Sequence, residues 1–307
     1  MDTPLNKDGA AKKTLERAAE DGRFPKAKEL IEVRSPMGLS LVARRVFNLL
    51  LDAAHSNLRT IGFEHEISWK DLRGGHKSNN RVRQAIRQLM TTVVEVQQEH
   101  PDGSSEFKAV QLLGGNSLEV GRRRRTSTDP MFRYRFDPRL IEVLLESRIY
   151  AILKKEVMLS FESKYALALY ELIERRRNLK YKTSDEFTVD DIRALLDVPD
   201  GKYDKNFHDL AKRVITPAIE EVNHLCDFTV GMVPLKDGRK VTGLRLCWFP
   251  KSAAEKREVQ EELQRSRQGR KDRREDTVVN LEQARQKLRA DLNSTPEFPG
   301  LDDEVQF

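Results

Sequence analysis

Cysteine is scarce: only Cys226 and Cys247 occur in 307 residues, and they form no CxxC pair. That count and spacing argue against a disulfide framework and a zinc ribbon, and both residues fall in apolar segments that suit small buried hydrophobes. Long hydrophobic runs are missing as well. The longest, such as Val46–Ala54, break too early to span a bilayer. The first residues carry Asp, Lys and Glu where a signal peptide needs an apolar stretch. The expected compartment is therefore the bacterial cytoplasm, with no membrane partner. The six histidines, His55, His65, His76, His100, His208 and His224, show neither HxH nor HExxH spacing. A rolling-circle nuclease would want a His-x-His metal pair and a tyrosine nucleophile, so its main signature is missing. Gly75-His76-Lys77-Ser78 superficially resembles the end of a phosphate-binding loop, but His76 stands where the final glycine belongs. No GxSxG elbow occurs. The expectation is a protein that is not an enzyme, with no catalytic residue, no metal and no cofactor.

Hydrophobic residues make up 38% of the chain and charged residues 34%. The length suits two ordinary domains with tails, and the apolar content suits compact cores. The formal net charge of +6 is a small excess of 55 basic over 49 acidic residues. Placement says more than balance. Basic groups gather at His76–Arg87, Arg122–Arg125, Arg175–Arg177 and Lys202–Arg213. Local positive fields of this kind attract polyanions. One such run often means only a solvated face; their repetition beside the same kind of helix points to nucleic acid.

Residues 1–29 are polar and lack a sustained apolar stripe, which reads as a flexible arm. Val42, Val46, Leu49, Leu50 and Ala53 then predict a helix over Ser40–His55 with one buried face. A short strand at Glu66–Trp69 and a short helix from Lys70 to Arg73 follow. Gly74-Gly75 ends that helix, and Ser78, Asn79 or Asn80 can cap the next. Val82, Ala85, Ile86, Leu89, Met90 and Val93 make its apolar stripe over Asn79–Val94, with Arg81, Arg83, Gln84, Arg87 and Gln88 opposite. Arginine and glutamine read guanine and adenine edges in the major groove, although the same pattern also describes an ordinary surface helix. Strands at Phe107–Leu113 and Met131–Phe136 enclose a loop containing Arg122–Arg125, the outline of a basic wing. A helix over Arg139–Glu146 and an extended apolar segment, Ile149–Phe161, lead into the second half.

There the order recurs. Tyr165, Leu169, Leu172 and Ile173 line a helix ending in Arg175-Arg176-Arg177, cations that suit a helix C-terminus. Phe187-Thr188-Val189 gives a strand, and Asp190 or Asp191 caps a helix with Ile192, Leu195 and Leu196 inward. A turn at Pro199-Asp200-Gly201 precedes a helix over Asp204–Leu225. Its stripe is Phe207, Leu210, Val214, Ala218, Val222 and Leu225; Lys205, His208, Lys212 and Thr216 lie opposite, with Arg213 alongside. Pro217 should kink it. Phe228–Val233 and Val241–Trp248 flank Asp237-Gly238, the strongest hairpin signal in the chain, with Lys236, Arg239 and Lys240 at the tip. Helix, strand, helix, helix, hairpin occurring twice is a structural repeat. The predicted fold class is α+β: a flexible arm (1–29), a first winged helix (30–150), a second (151–250) and a charged helical or disordered tail (251–307).

The run Ser163-Lys164-Tyr165-Ala166-Leu167-Ala168-Leu169-Tyr170-Glu171-Leu172 resembles the initiator Rep protein family (Rep_3 type) of iteron-containing plasmids. So do Ile31-Glu32-Val33-Arg34-Ser35, Phe187–Leu196, Tyr203-Asp204-Lys205-Asn206-Phe207 and the wing turn Gly238-Arg239-Lys240-Val241. The segment Lys212-Arg213-Val214-Ile215-Thr216-Pro217-Ala218-Ile219-Glu220-Glu221-Val222-Asn223 is similar to the family's Arg-Val-Ile-x-Pro-Ala-x-x-Glu-Ile-Asn signature, with Val222 in place of Ile. The resemblance covers about 30–250. It implies tandem winged helices that bind direct repeats (iterons) in double-stranded DNA at a replication origin. Monomers would promote origin melting and recruit the host initiator and replicative helicase, with chaperones as further partners. Homodimers formed through the first domain would repress the protein's own promoter.

The candidate DNA contacts are Lys77, Asn79, Asn80, Arg81, Arg83 and Arg87 in the first domain, with Arg122, Arg123, Arg124 and Arg125 on its wing. In the second they are Arg175, Arg176, Arg177, Lys202, Lys205, Asn206, Lys212, Arg213, Arg239 and Lys240. Asn206 and the arginines are the expected base readers, and lysines suit phosphates. The rival readings are a winged-helix transcriptional repressor without origin function, a rolling-circle nuclease and a nonspecific architectural protein.

Overall fold

The computed structural model describes residues 22–32, 38–57, 64–75, 78–99, 104–118, 129–147, 149–177, 182–204 and 206–276. The chain divides into two units, Met1–Gln264 and Arg265–Phe307; in the second, the described residues include a helical stretch at 270–276. No helix among the described residues is long and apolar enough to cross a membrane.

The first unit holds two tandem winged-helix domains. The first has α2 (Leu41–Ala54), β2 (His65–Ser68), α3 (Trp69–Arg73), α4 (Asn79–Thr91), β3 (Val93–Glu99), β4 (Ser105–Gln111), β5 (Asn116–Leu118) and β6 (Met131–Tyr134), preceded by β1 (Arg23–Ala27) and α1 (Lys28–Ile31). Next come α5 (Pro138–Glu146), β7 (Tyr150–Lys154) and α6 (Lys155–Ser160). After α7 (Lys164–Arg177), the second has β8 (Ser184–Thr188), α8 (Val189–Leu195), α9 (Phe207–Leu210), a π-helical turn (Ala211–Ile215), α10 (Thr216–Leu225), β9 (Phe228–Asp237) and β10 (Lys240–Pro250). A last helix, α11 (Ala253–Gln264), follows.

The apolar periodicity becomes the core. Val46, Phe47 and Leu50 of α2 are buried together with Val82 and Leu89 of α4 and with Phe132, Tyr134 and Phe136. Phe47 meets Phe136 edge-on at 6.2 Å between centroids. The Tyr134 hydroxyl donates to the Leu50 carbonyl at 2.5 Å, so this buried phenol is satisfied. Leu167, Tyr170 and Ile173 of α7 are buried in the same core as Val214, Val222, Leu244 and Leu246 of the second domain.

Five expectations change. Residues 23–31 are folded rather than part of an arm: β1 pairs antiparallel with β7, Phe24 opposite Leu153, and Leu30 and Ile31 are buried. That strand is too short to announce itself, and its partner lies more than a hundred residues away. The helix α4 stops at Thr91, where the run Thr91-Thr92-Val93-Val94 favours extended backbone and opens β3. Thus β4 pairs with β3, and β6 sits between β2 and β5 instead of pairing with β4. The connection carrying Arg122–Arg125 therefore joins β5 to β6. Residues 149–161 are strand then helix, β7 and α6, rather than wholly extended. The helix expected from Asp204 begins at Phe207 and contains the π turn. Pro217 offers no N–H and its ring crowds the carbonyl four residues back, and the widened turn just before it absorbs the mismatch. Finally, 253–264 is a docked helix: Val259 is buried, and Glu262 lies 3.5 Å from His224 of α10. Two apolar positions, Val259 and Leu263, were too few to show as a stripe.

Candidate nucleic-acid interface

In the first domain, α3, a turn at Gly74-Gly75 and α4 form a helix-turn-helix. Gly74 ends α3 in the left-handed conformation (φ 50°), which favours glycine there. Trp69 Nε1 donates to Asn79 Oδ1 at 3.2 Å, and Arg73 Nη1 reaches the same oxygen at 3.5 Å. Asn79 thus ties the two helices together, which is a scaffolding task its sequence position did not suggest. Val82, Ala85, Ile86 and Leu89 are buried, and Asn80, Arg81, Arg83 and Arg87 are exposed. Among the described residues those three arginines form no ion pair. Gln88 departs from expectation, because its side chain bonds the Ser40 N–H and the Gly38 carbonyl and does not stand free on the arginine face.

In the second domain, Thr188 caps α8 by accepting the Asp191 N–H at 3.1 Å. Arg193 of α8 then holds the following loop. Its guanidinium donates to the carbonyls of Tyr203 (3.1 Å) and Lys202 (2.7 Å) and pairs with Asp204. Asn206 Oδ1 accepts the Asp209 N–H at 2.8 Å and caps α9. Its carbonyl oxygen is therefore committed to the helix. Beyond it Lys212 and Arg213 stand exposed, Arg213 only 4.0 Å from Asp209 in a loose pair. At the wing, Gly238 (φ 57°) turns the chain and leaves Lys236, Arg239 and Lys240 exposed. Lys202 is exposed as well.

Arg175, Arg176 and Arg177 are corrected more strongly. Arg175 and Arg176 both pair with Glu32, Arg176 also with Asp185 at 2.7 Å, and Arg177 with Asp227 at 2.6 Å and Glu174 at 2.9 Å. Arg176 and Arg177 lie 4.8 Å from the ring centroids of Phe187 and Phe228. Charge at a helix C-terminus was read as a surface feature, but this terminus is packed against acidic neighbours that come from distant parts of the chain. Lys77, Arg122, Arg123, Arg124, Arg125 and Lys205 lie outside the described residues.

What remains is two exposed basic helix faces, one per domain, each the last helix of a helix-turn-helix, with a basic wing tip in the second domain. Residues 24–174 match the family description "Initiator Replication protein, WH1", and residues 188–248 match "Initiator Rep protein, WH2". The chain belongs to the initiator Rep protein family. Among solved structures, this Rep protein is similar to the Pi initiator protein in its crystal structure with iteron DNA, at 20% identity and a TM-score of 0.52. The match covers 76% of the Rep chain and 98% of the Pi chain, and at that identity it speaks for the fold. No curated protein matches the sequence.

Proposed function

We propose that this Rep protein starts plasmid replication by binding direct repeats in double-stranded DNA with both winged helices. In this reading α4 enters one major groove through Arg81, Arg83 and Arg87, and the Phe207–Leu225 segment enters a neighbouring one through Lys212 and Arg213. Lys202, Arg239, Lys240 and Asn80 hold the phosphate backbone, which sets register without reading sequence. Binding then promotes origin melting and brings in the host initiator and replicative helicase in the bacterial cytoplasm, with chaperones as helpers. A homodimer in equilibrium with the monomer represses the protein's own promoter. Catalysis, metal and cofactor have no part in it.

The observation that carries this reading is the pairing of two exposed basic helix faces in one compact unit, in a chain of the initiator Rep family. Fluorescence anisotropy against duplexes bearing direct repeats and against scrambled duplexes, across a salt series, tests it. A preference of roughly a thousandfold or more for the repeats is expected. Equal binding with only a steep salt slope would reduce the protein to a basic DNA coater. Specific binding to repeats that fails to support replication of a plasmid carrying them would leave a transcriptional repressor instead.

A further inference from the structure

Hydrogen bonds link α4 of the first domain, through residues 38–40, to Asp197 of the second. Residues 38–40 run between them. On one side Gln88 of α4 accepts the Ser40 N–H at 3.2 Å and donates to the Gly38 carbonyl at 3.0 Å. On the other side the Asp197 carboxylate accepts the Leu39 N–H, and its second-domain backbone carbonyl accepts Lys164 Nζ at 3.0 Å. Asp197 also receives Arg44 Nη2 of α2 at 3.3 Å. It follows α8 directly, and α8 carries Arg193, which holds the loop leading to Asn206 and α9.

The geometry here is demanding. Asp197 is buried and has φ 58°, an arrangement that non-glycine residues rarely adopt. Gly38 has φ 66°, and a Cβ on it would stand 3.0 Å from the Asp197 carbonyl oxygen. Behind this contact lies a second buried node. Glu171 at the centre of α7 accepts Lys26 Nζ at 2.9 Å, Arg44 Nη1 at 2.8 Å and Asn48 Nδ2 at 2.7 Å. Burial works against its ionisation, but Lys26 and Arg44 outweigh it and hold the carboxyl below its ordinary range. Arg44 thus bridges Glu171, which lies with it in the residues matched to the first winged helix, and Asp197 of the second. Buried ionic contacts of this kind add little net stability, because desolvation offsets the attraction. What they do supply is one orientation, since a displaced partner leaves an unpaired buried charge.

We propose that the 38–40 strap, clamped between Gln88 and Asp197, is a rigid spacer that sets the distance between the two DNA-reading helices and so selects the spacing of the two halves of the binding site. Asp197 is a positioning residue: it touches no DNA and acts through the strap. This rests on the reading that both domains bind one duplex.

The test is a set of duplexes in which one or two base pairs are added or removed between the segments protected by each domain. Each base pair shifts one segment by about 3.4 Å and turns it by about 34°. The wild-type protein should lose about a hundredfold in affinity per change, as simultaneous engagement fails. Asp197→Gly keeps the positive φ and deletes both carboxylate anchors, and it should cut that penalty to about tenfold or less. Gln88→Ala cuts the strap from the other side and carries the test if Asp197→Gly does not fold by circular dichroism. Arg213→Ala, as control, should weaken binding equally at every spacing. Folded variants that keep the full wild-type penalty overturn the spacer. A wild-type protein indifferent to spacing overturns instead the two-headed binding beneath it, and the spacer with it.

Discussion

Arg81, Arg83 and Arg87 stand in water on α4, whereas Arg175, Arg176 and Arg177 at the end of α7 are each held by at least one carboxylate. The two sets have the same chemistry and a similar density of positive charge along the chain. They differ in what the fold brings beside them. Around α7 it gathers Glu32 from the first domain, Asp185 from β8 and Asp227 from the turn before β9. On the outer face of α4, Arg81, Arg83 and Arg87 form no ion pair among the described residues. A guanidinium left without an internal partner is available to phosphate or guanine, while one enclosed by carboxylates holds the protein together.

Four measurements can break or sharpen that contrast. The largest effect belongs to Arg176→Ala, which strips a partner from Glu32 and Asp185. It should cost about 3 to 5 kcal/mol, read as a lower urea midpoint, with repeat-DNA affinity of the folded fraction unchanged. A loss of affinity without loss of stability would return Arg176 to the DNA interface. Replacing Arg81, Arg83 and Arg87 together by alanine should do the reverse. Stability should stay within about 0.5 kcal/mol while repeat affinity falls roughly a hundredfold and the salt slope drops by up to about three. Unchanged binding would remove α4 from the interface.

The third measurement concerns Asp227. Burial favours its neutral form, but Arg177 and Lys154 prevail and hold the carboxyl at about 2. Its folded pKa lies below its unfolded value, so it contributes stability that is complete above roughly pH 4 and disappears as pH falls through 2. Asp227→Asn should erase that part of the acid dependence in urea midpoints taken across pH. An unaltered acid limb would mean that Arg177 is not the partner that matters. The smallest effect is at Asn206. Loss of its cap in Asn206→Ala should cost about 1 kcal/mol, and Asn206→Ser should restore it with DNA specificity intact. If Asn206→Ser kept the stability but changed the preferred sequence, the side chain would be reading a base after all.

The tandem winged-helix order was legible because the last helix of each helix-turn-helix carries a long apolar stripe and the second wing carries Asp237-Gly238. Helix α2 appeared within a residue of its predicted start, and the β9–β10 turn fell where its dipeptide said. The first wing was misread for a physical reason: β4 and β6 have similar strand character, and nothing local states that β3 is the partner of one and β2 of the other. Of the candidate DNA contacts, Arg81, Arg83, Arg87, Lys212 and Arg213 stand exposed on their helices. Asn79 and Asn206 instead form parts of the scaffold, because a short amide beside a helix start is as good a cap or clamp as it is a base reader.

By itself the sequence determined the periodicities: which faces of α2, α4, α7 and the Phe207–Leu225 segment would be buried, where turns would fall, and that basic residues would cluster beside two helices. These are consequences of side-chain spacing over a few residues. Only the tertiary structure decided which charges would be neutralised, which strand would pair with which, and that Gln88, Gly38, Leu39 and Asp197 would form a single path between the two domains. Those outcomes depend on groups separated by tens to more than a hundred residues, and the free energy that brings them together comes from burying the core, to which no local pattern of charge contributes.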